Sequence, residues 1–210
     1  SHLFVGASDD NDATFHNYTG VKSTSIREIG GSKVVSFESV RISRPASIEL
    51  GRSQILRLKE LQSKSGAAAK LSVIENATLE FIQQATLPAG VELWVGNGLL
   101  SGVAFDDDAG SFVVKQGATL TLTAFGRTKA SIDPANYTFY GGLLVQGSIQ
   151  FNSPQSDQVV VLEASSLEIA ATGHIHADGQ GVGGIVGSTD SASGPESGRN
   201  LAWAAALSGG

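Results

Sequence analysis

His174, His176 and Asp178 stand at alternate positions in the stretch GHIHADGQGVGG, residues 173 to 184. On a strand that spacing puts all three on one face and Ile175 and Ala177 on the other. Two imidazoles and a carboxylate suit zinc or another divalent cation. No fourth ligand stands nearby, and extended side chains two residues apart diverge. The stretch therefore reads as a solvated outer face, and no metal is expected. Gly179, Gly181 and Gly184 also spell G-x-G-x-x-G. A dinucleotide loop of that spelling needs a following helix whose N-terminal amides receive the pyrophosphate. The IVGSTDSASGPESG that follows has proline, several glycines and no helical period, so no cofactor is expected. The glycines read instead as turns that need positive φ.

Two acidic clusters, Asp9–Asp12 (DDND) and Asp106–Asp108 (DDD), are candidates for calcium. Calcium takes six to eight oxygens, and neither cluster has the spaced D-x-D-x-D-G pattern that wraps one ion. Both suit turns between strands. Three N-x-S/T sequons, at Asn17, Asn76 and Asn136, are candidate glycosylation sites; Asn76 sits in ENATLEF, which reads as a strand. No serine lies in a G-x-S-x-G elbow, and the chain has no cysteine, so these two kinds of activated nucleophile are excluded.

The elements that position these residues follow from a repeated pentapeptide: small, small, aliphatic, polar, large apolar. It occurs as ASIEL (46–50), ATLEF (77–81), AGVEL (89–93), ATLTL (118–122), GSIQF (147–151) and SSLEI (165–169). In each copy the third and fifth residues point one way and the fourth the other, as in a strand. The small leading residues suit a corner beneath another layer. Starts at 89, 118 and 147 are 29 residues apart, and starts at 46 and 77 are 31 apart. A turn of about 30 residues carrying this strand at two phases accounts for both, which is the arithmetic of a β-solenoid with stacked rungs sharing one core. Leu120, Leu122, Ile149, Phe151, Leu167 and Ile169 should then stack inward, and Thr121 should face outward. A β-sandwich is the alternative. SQILRLKELQSK (53–64) has the best helical pattern in the chain, though Leu56 and Leu58 also fit a strand. The expected organisation is a cap or irregular lead-in over 1–33, rungs over 34–178, and a glycine- and serine-rich loop segment over 179–210.

The net charge of −6 is unevenly spread. Residues 22–70 carry ten Lys and Arg against four Glu, while residues 71–210 carry four basic and thirteen acidic side chains. Opposite charge at opposite ends of a solenoid favours head-to-tail association. The basic stretch is sparse and poor in aromatics, so no nucleic acid partner is expected. No apolar run approaches the roughly 18 residues of a membrane span. The chain opens on SHLFVG, without Met or a signal peptide, as a processed or excised segment would.

The pentapeptide rungs followed by LEIAATGHIHADGQGVGG resemble the right-handed parallel β-helix regions of large secreted or surface proteins, adhesin-like and glycine-rich. The resemblance spans about residues 34 to 184. It implies an extracellular or cell-surface location and a structural or adhesive role without catalysis. Its implied partners are further copies head to tail, further modules of a longer chain, or glycans. Some β-helix proteins bind or degrade polysaccharides, which is the alternative role. The N-T-D, G-H-G and R-I-K motifs of β-helix pectinases are missing here. A glycosidase would in any case need two carboxylates about 5–9 Å apart.

Overall fold

The computed structural model describes residues 1–6, 15–19, 24–25, 33–43, 46–51, 53–64, 69–74, 76–83, 85–96, 99–102, 111–123, 135–139, 141–152 and 160–177. All regular structure among them is β-strand. The chain forms β1 (His2–Gly6), β2 (Phe15–Thr19), β3 (Thr24–Ser25), β4 (Val34–Ser43), β5 (Ser47–Leu50), β6 (Ile55–Lys64) and β7 (Ala69–Ile74). It continues through β8 (Thr78–Phe81), β9 (Thr86–Leu87), β10 (Val91–Gly96), β11 (Leu99–Gly102), β12 (Phe112–Val114) and β13 (Thr119–Thr123). The last six strands are β14 (Ala135–Phe139), β15 (Leu143–Val145), β16 (Ser148–Asn152), β17 (Val160–Ala164), β18 (Leu167–Ile169) and β19 (His174–His176).

Every strand pairing among the described residues is parallel. That excludes the sandwich, whose sheets are antiparallel. From β8 to β13 each circuit visits three faces in turn. One face is a six-stranded sheet, β2-β1-β4-β6-β8-β11; the second is four-stranded, β9-β12-β15-β18; the third is seven-stranded, β3-β5-β7-β10-β13-β16-β19. β14 pairs with β17 as a separate two-stranded sheet. The protein is a β-solenoid. Parallel strands buried on the core side give runs of Leu, Val and Ile at every second position.

The seven-stranded face corrects the period. Register partners Ser47, Lys70, Glu92, Thr119, Ser148 and His174 step by 23, 22, 27, 29 and 26 residues, not by a constant 30. The expected two phases are three faces. ASIEL, AGVEL, ATLTL and GSIQF lie on the seven-stranded face, ATLEF on the six-stranded one and SSLEI on the four-stranded one. The 31-residue step from 46 to 77 therefore compares different faces. β1, β2 and β3, within the segment expected to be a cap or lead-in, belong to the same sheets as the rungs. The helical candidate 53–64 is mostly the strand β6.

Corners explain the small residues. Ala46, Ala69, Ala77, Ala85 and Ala118 are all buried, because the chain bends there against the rung beside it. The Ala118 amide donates to the Lys115 carbonyl and the Val91 amide to that of Pro88, closing turns at Gly117 (φ 80) and Gly90 (φ 78). Those two turns stack, since the Gly90 amide donates to the Gly117 carbonyl at 2.9 Å. At another corner Ser53 and Asn76, both with φ 60, hold the matching position in successive circuits. In the ten-residue strands β4 and β6 the apolar alternation slips by one residue. Phe37 is followed inward by Val40, and Leu58 by Leu61, and the register between the two strands is the same on both sides of this slip.

The core is continuous and apolar. Leu71, Leu93, Leu120 and Ile149 are adjacent in register and fully buried. Phe81, Phe112 and Phe139 form a second file, with ring centroids 6.1 and 5.6 Å apart. The expected inward set divides: Leu120, Leu122 and Ile149 are buried, Phe151 and Leu167 are half-buried, and Ile169 is 49% exposed. Thr121 is not at the surface but 0% exposed.

Candidate interaction surfaces

The outer side of the seven-stranded face carries a polar ridge. Trp94, Thr121, Gln150 and His176 are register partners in a line; Lys70, Glu92, Thr119, Ser148 and His174 form the parallel line beside it. Strand alternation points both lines away from the core side, to which Leu93, Leu120, Ile149 and Ile175 turn, although Thr121 itself is covered. The Lys70 ammonium lies 3.8 Å from the Trp94 ring centroid, and the Trp94 indole N–H donates to the Glu92 carboxylate. Stacking brings this trio together from three positions on two neighbouring strands. An exposed cation over a ring contributes about 0.5–1 kcal/mol. Thr121, next in line, has a buried hydroxyl without a hydrogen-bond partner.

His174 and His176 sit on β19 at the end of these lines, exposed and half-buried respectively, while Ile175 packs towards the core. Their register neighbours are Ser148 and Gln150, which are not metal ligands of any strength. Asp178 lies outside the described residues, as do Gly179, Gly181 and Gly184 and the acidic clusters at 9–12 and 106–108. Among the described residues no group of three or more His, Asp or Glu converges.

The sequons separate. Asn17 lies in β2 and Asn136 in β14. Asn76 is exposed in the turn before β8, so its reading as a rung strand is corrected: the strand begins two residues later, at Thr78. Asparagine tolerates the left-handed backbone of that corner.

A second surface is a charged flank on β4, β6 and β8. Lys59 pairs with Glu38 at 2.5 Å, and Arg57 with Glu80 at 2.7 Å. Arg41 donates to Gln62 at 3.1 Å, whose amide in turn donates to Glu60. Each of the first three links joins adjacent rungs. The Lys59 hydrogen bond, with the charge of Lys59 behind it, holds the Glu38 carboxyl below its ordinary range.

The third surface is the end of the described stack. β17, β18 and β19 are terminal in their sheets, each paired on one side only among the described residues. Leu162, Leu167 and Ile175 pack against the core but are only half-buried, and Ile169 is largely exposed. Glu163 and Glu168 are exposed beside them. The pentapeptide put Leu167 and Ile169 in a rung, but no residue type announced that the rung would be less covered than those before it.

Tyr137 was not singled out by its sequence context. Its hydroxyl reaches the carbonyls of Val95 at 2.8 Å and Thr123 at 2.7 Å, the ends of β10 and β13. The only signal was alternation with Phe139 in ANYTF, which marks an inward aromatic but not its partners. Comparison with protein-family models, curated proteins and solved structures finds no match to this chain.

Proposed function

We propose that this chain is a non-catalytic structural module, extracellular or displayed at a cell surface, which extends end to end through the β17–β18–β19 face. The partner is a second copy or a further module of like build. The fall in burial along the stack carries this reading. Leucines and valines that are 0% exposed in β7, β10 and β13 give way to an exposed Ile169 and half-buried Leu167 and Ile175. Parallel strands paired on one side only among the described residues, with apolar side chains incompletely covered, are a template for further strands. Charge supports the direction of addition. Glu163 and Glu168 flank the open face, while the basic excess lies in residues 22–70 near the opposite end. Attraction between those ends steers encounter and weakens with salt, whereas apolar burial supplies the affinity.

Sedimentation at several concentrations and two salt levels tests this. Association that rises with concentration, weakens with salt and disappears in Ile169→Glu is the expected result. A monomer under all conditions would overturn it. A second reading, a glycan-binding surface, draws on the half-exposed Trp94 beside the polar ridge. Oligosaccharide titration that quenches Trp94 fluorescence would favour it, but Lys70 already lies over that ring.

A further inference from the structure

We infer that β1 is an exchangeable strand, and that β1 of one copy of this chain can fill the slot between β2 and β4 of another. β1 breaks the winding order. On the six-stranded face it lies between β2 and β4, pairing His2 with both Phe15 and Ser39. On the seven-stranded face the corresponding strands β3 and β5 pair directly, with nothing between them. β1 is thus an added strand and not part of a circuit. It is nevertheless built into the core, since Leu3 and Val5 are 0% exposed beside Val40 and Ile42.

The connection makes exchange favourable. Neighbouring parallel strands on the seven-stranded face are 22 to 29 residues apart in register from β5 onward, enough to circle the core. His2 and Phe15 are 13 apart, with eight residues linking Gly6 to Phe15. Because the strands are parallel, that link must return the length of β1, about 16 Å, before β2 begins. Parallel neighbours are ordinarily joined by about a dozen residues or more. Three of the eight are Asp9, Asp10 and Asp12, like charges that oppose a compact return. A short hinge invites domain swapping, because reaching a neighbouring copy makes the same strand contacts without the return. This inference concerns a different surface from the β17–β18–β19 end and does not depend on it.

The chain has no cysteine, so introduced thiols report unambiguously. His2 and Ser39 are register partners whose side chains already touch, Nδ1 to Oγ at 2.8 Å. His2→Cys chains and Ser39→Cys chains are unfolded, mixed, refolded together at high concentration and oxidised. We expect a disulfide-linked heterodimer on a non-reducing gel, growing with protein concentration. It should be strongly reduced when the hinge is lengthened by about six Gly and Ser residues, past the usual crossover length. Ile169→Glu in both chains should leave it unchanged, which separates exchange from end-to-end stacking. The double variant His2→Cys/Ser39→Cys, refolded dilute, should close its disulfide within one chain. Heterodimer no more abundant than in chains folded apart and then mixed would overturn the inference, as would failure of the double variant to close.

Discussion

Gly147 and Gly117 occupy corners of the same solenoid for different reasons, and substitution separates them. A Cβ on Gly147 would collide with the carbonyl oxygens of Lys115 and Ala118, which are backbone and cannot step aside. Gly147→Ala should therefore cost about 2–4 kcal/mol in chemical denaturation. Gly117 has φ 80 and its nearest obstacle is the Ala89 Cβ at 3.6 Å, an ordinary contact. Gly117→Ala should cost only the left-handed backbone penalty, about 1–2 kcal/mol. Equal costs would mean that the corner at Gly147 is not closed by backbone. Thr121 offers the opposite sign. Its hydroxyl is buried without a partner, so Thr121→Val should be neutral or stabilising by up to about 1 kcal/mol. A loss of stability there would show that the hydroxyl is bonded after all. Charge is tested at Glu38. Lys59 depresses its pKa, so the proton binds less readily in the folded chain than in the unfolded one. The pair's contribution is then present above the ordinary value of 4.5 and is lost as pH falls through the lower folded value. Because both side chains are exposed, the effect on stability is small and the NMR titration of the carboxyl is the better readout. Lys59→Ala should move that midpoint back up towards 4.5.

At the scale of the element, Tyr137 ties β14 to the rest of the stack. β14 pairs with β17 but with no strand of the preceding circuit among the described residues. The Tyr137 hydroxyl instead reaches across to the carbonyls at the ends of β10 and β13 on the seven-stranded face. Tyr137→Phe should cost about 1–3 kcal/mol, because it removes the buried O–H that lies within reach of both carbonyls. Amide exchange should accelerate in β14 and β17 more than in β7 or β10; a uniform change would mean the hydroxyl does not anchor this sheet. Individual strands were legible because Leu, Ile and Val alternate with polar residues at a period of two, as in ATLTL and GSIQF. Their assembly was less so. Every corner of the solenoid asks for the same small residues, so ATLEF and ASIEL look like copies although they lie on different faces. The circuits also differ in length, because loops outside the core cost little to extend. Leu56, Leu58 and Leu61 fit a helix by spacing, and only the slip at Lys59–Glu60 shows how a strand accommodates it.

For the whole molecule, stability should follow position along the stack. A solenoid rung touches only its neighbours, so its strength is its own packing plus two interfaces, or one at an end. Leu71 lies between Ile48 and Leu93 in register and is fully buried. Leu71→Ala should cost about 2–5 kcal/mol and lower the midpoint of global unfolding. Leu167 lies in the last described rung, half-buried, with Leu143 on one side only. Leu167→Ala should cost about 1 kcal/mol or less, since fraying of a terminal unit already exposes it before global unfolding. Sequence made the charge polarity of the chain plain but not this gradient, which depends on how completely each rung is covered by its neighbours. Hydrogen exchange of the isolated protein should therefore show strongest protection in β7, β10 and β13 and weakest in β18 and β19. Raising the concentration should add protection selectively at β17, β18 and β19, because a second copy covers the side chains of Leu167 and Ile169 and adds strands beside edges that have one partner among the described residues. Salt should diminish that gain through the screening of Glu163 and Glu168. Protection that is uniform along the chain, or a concentration-dependent gain confined to the charged flank of β4 and β6, would place the working surface elsewhere than at the end of the stack.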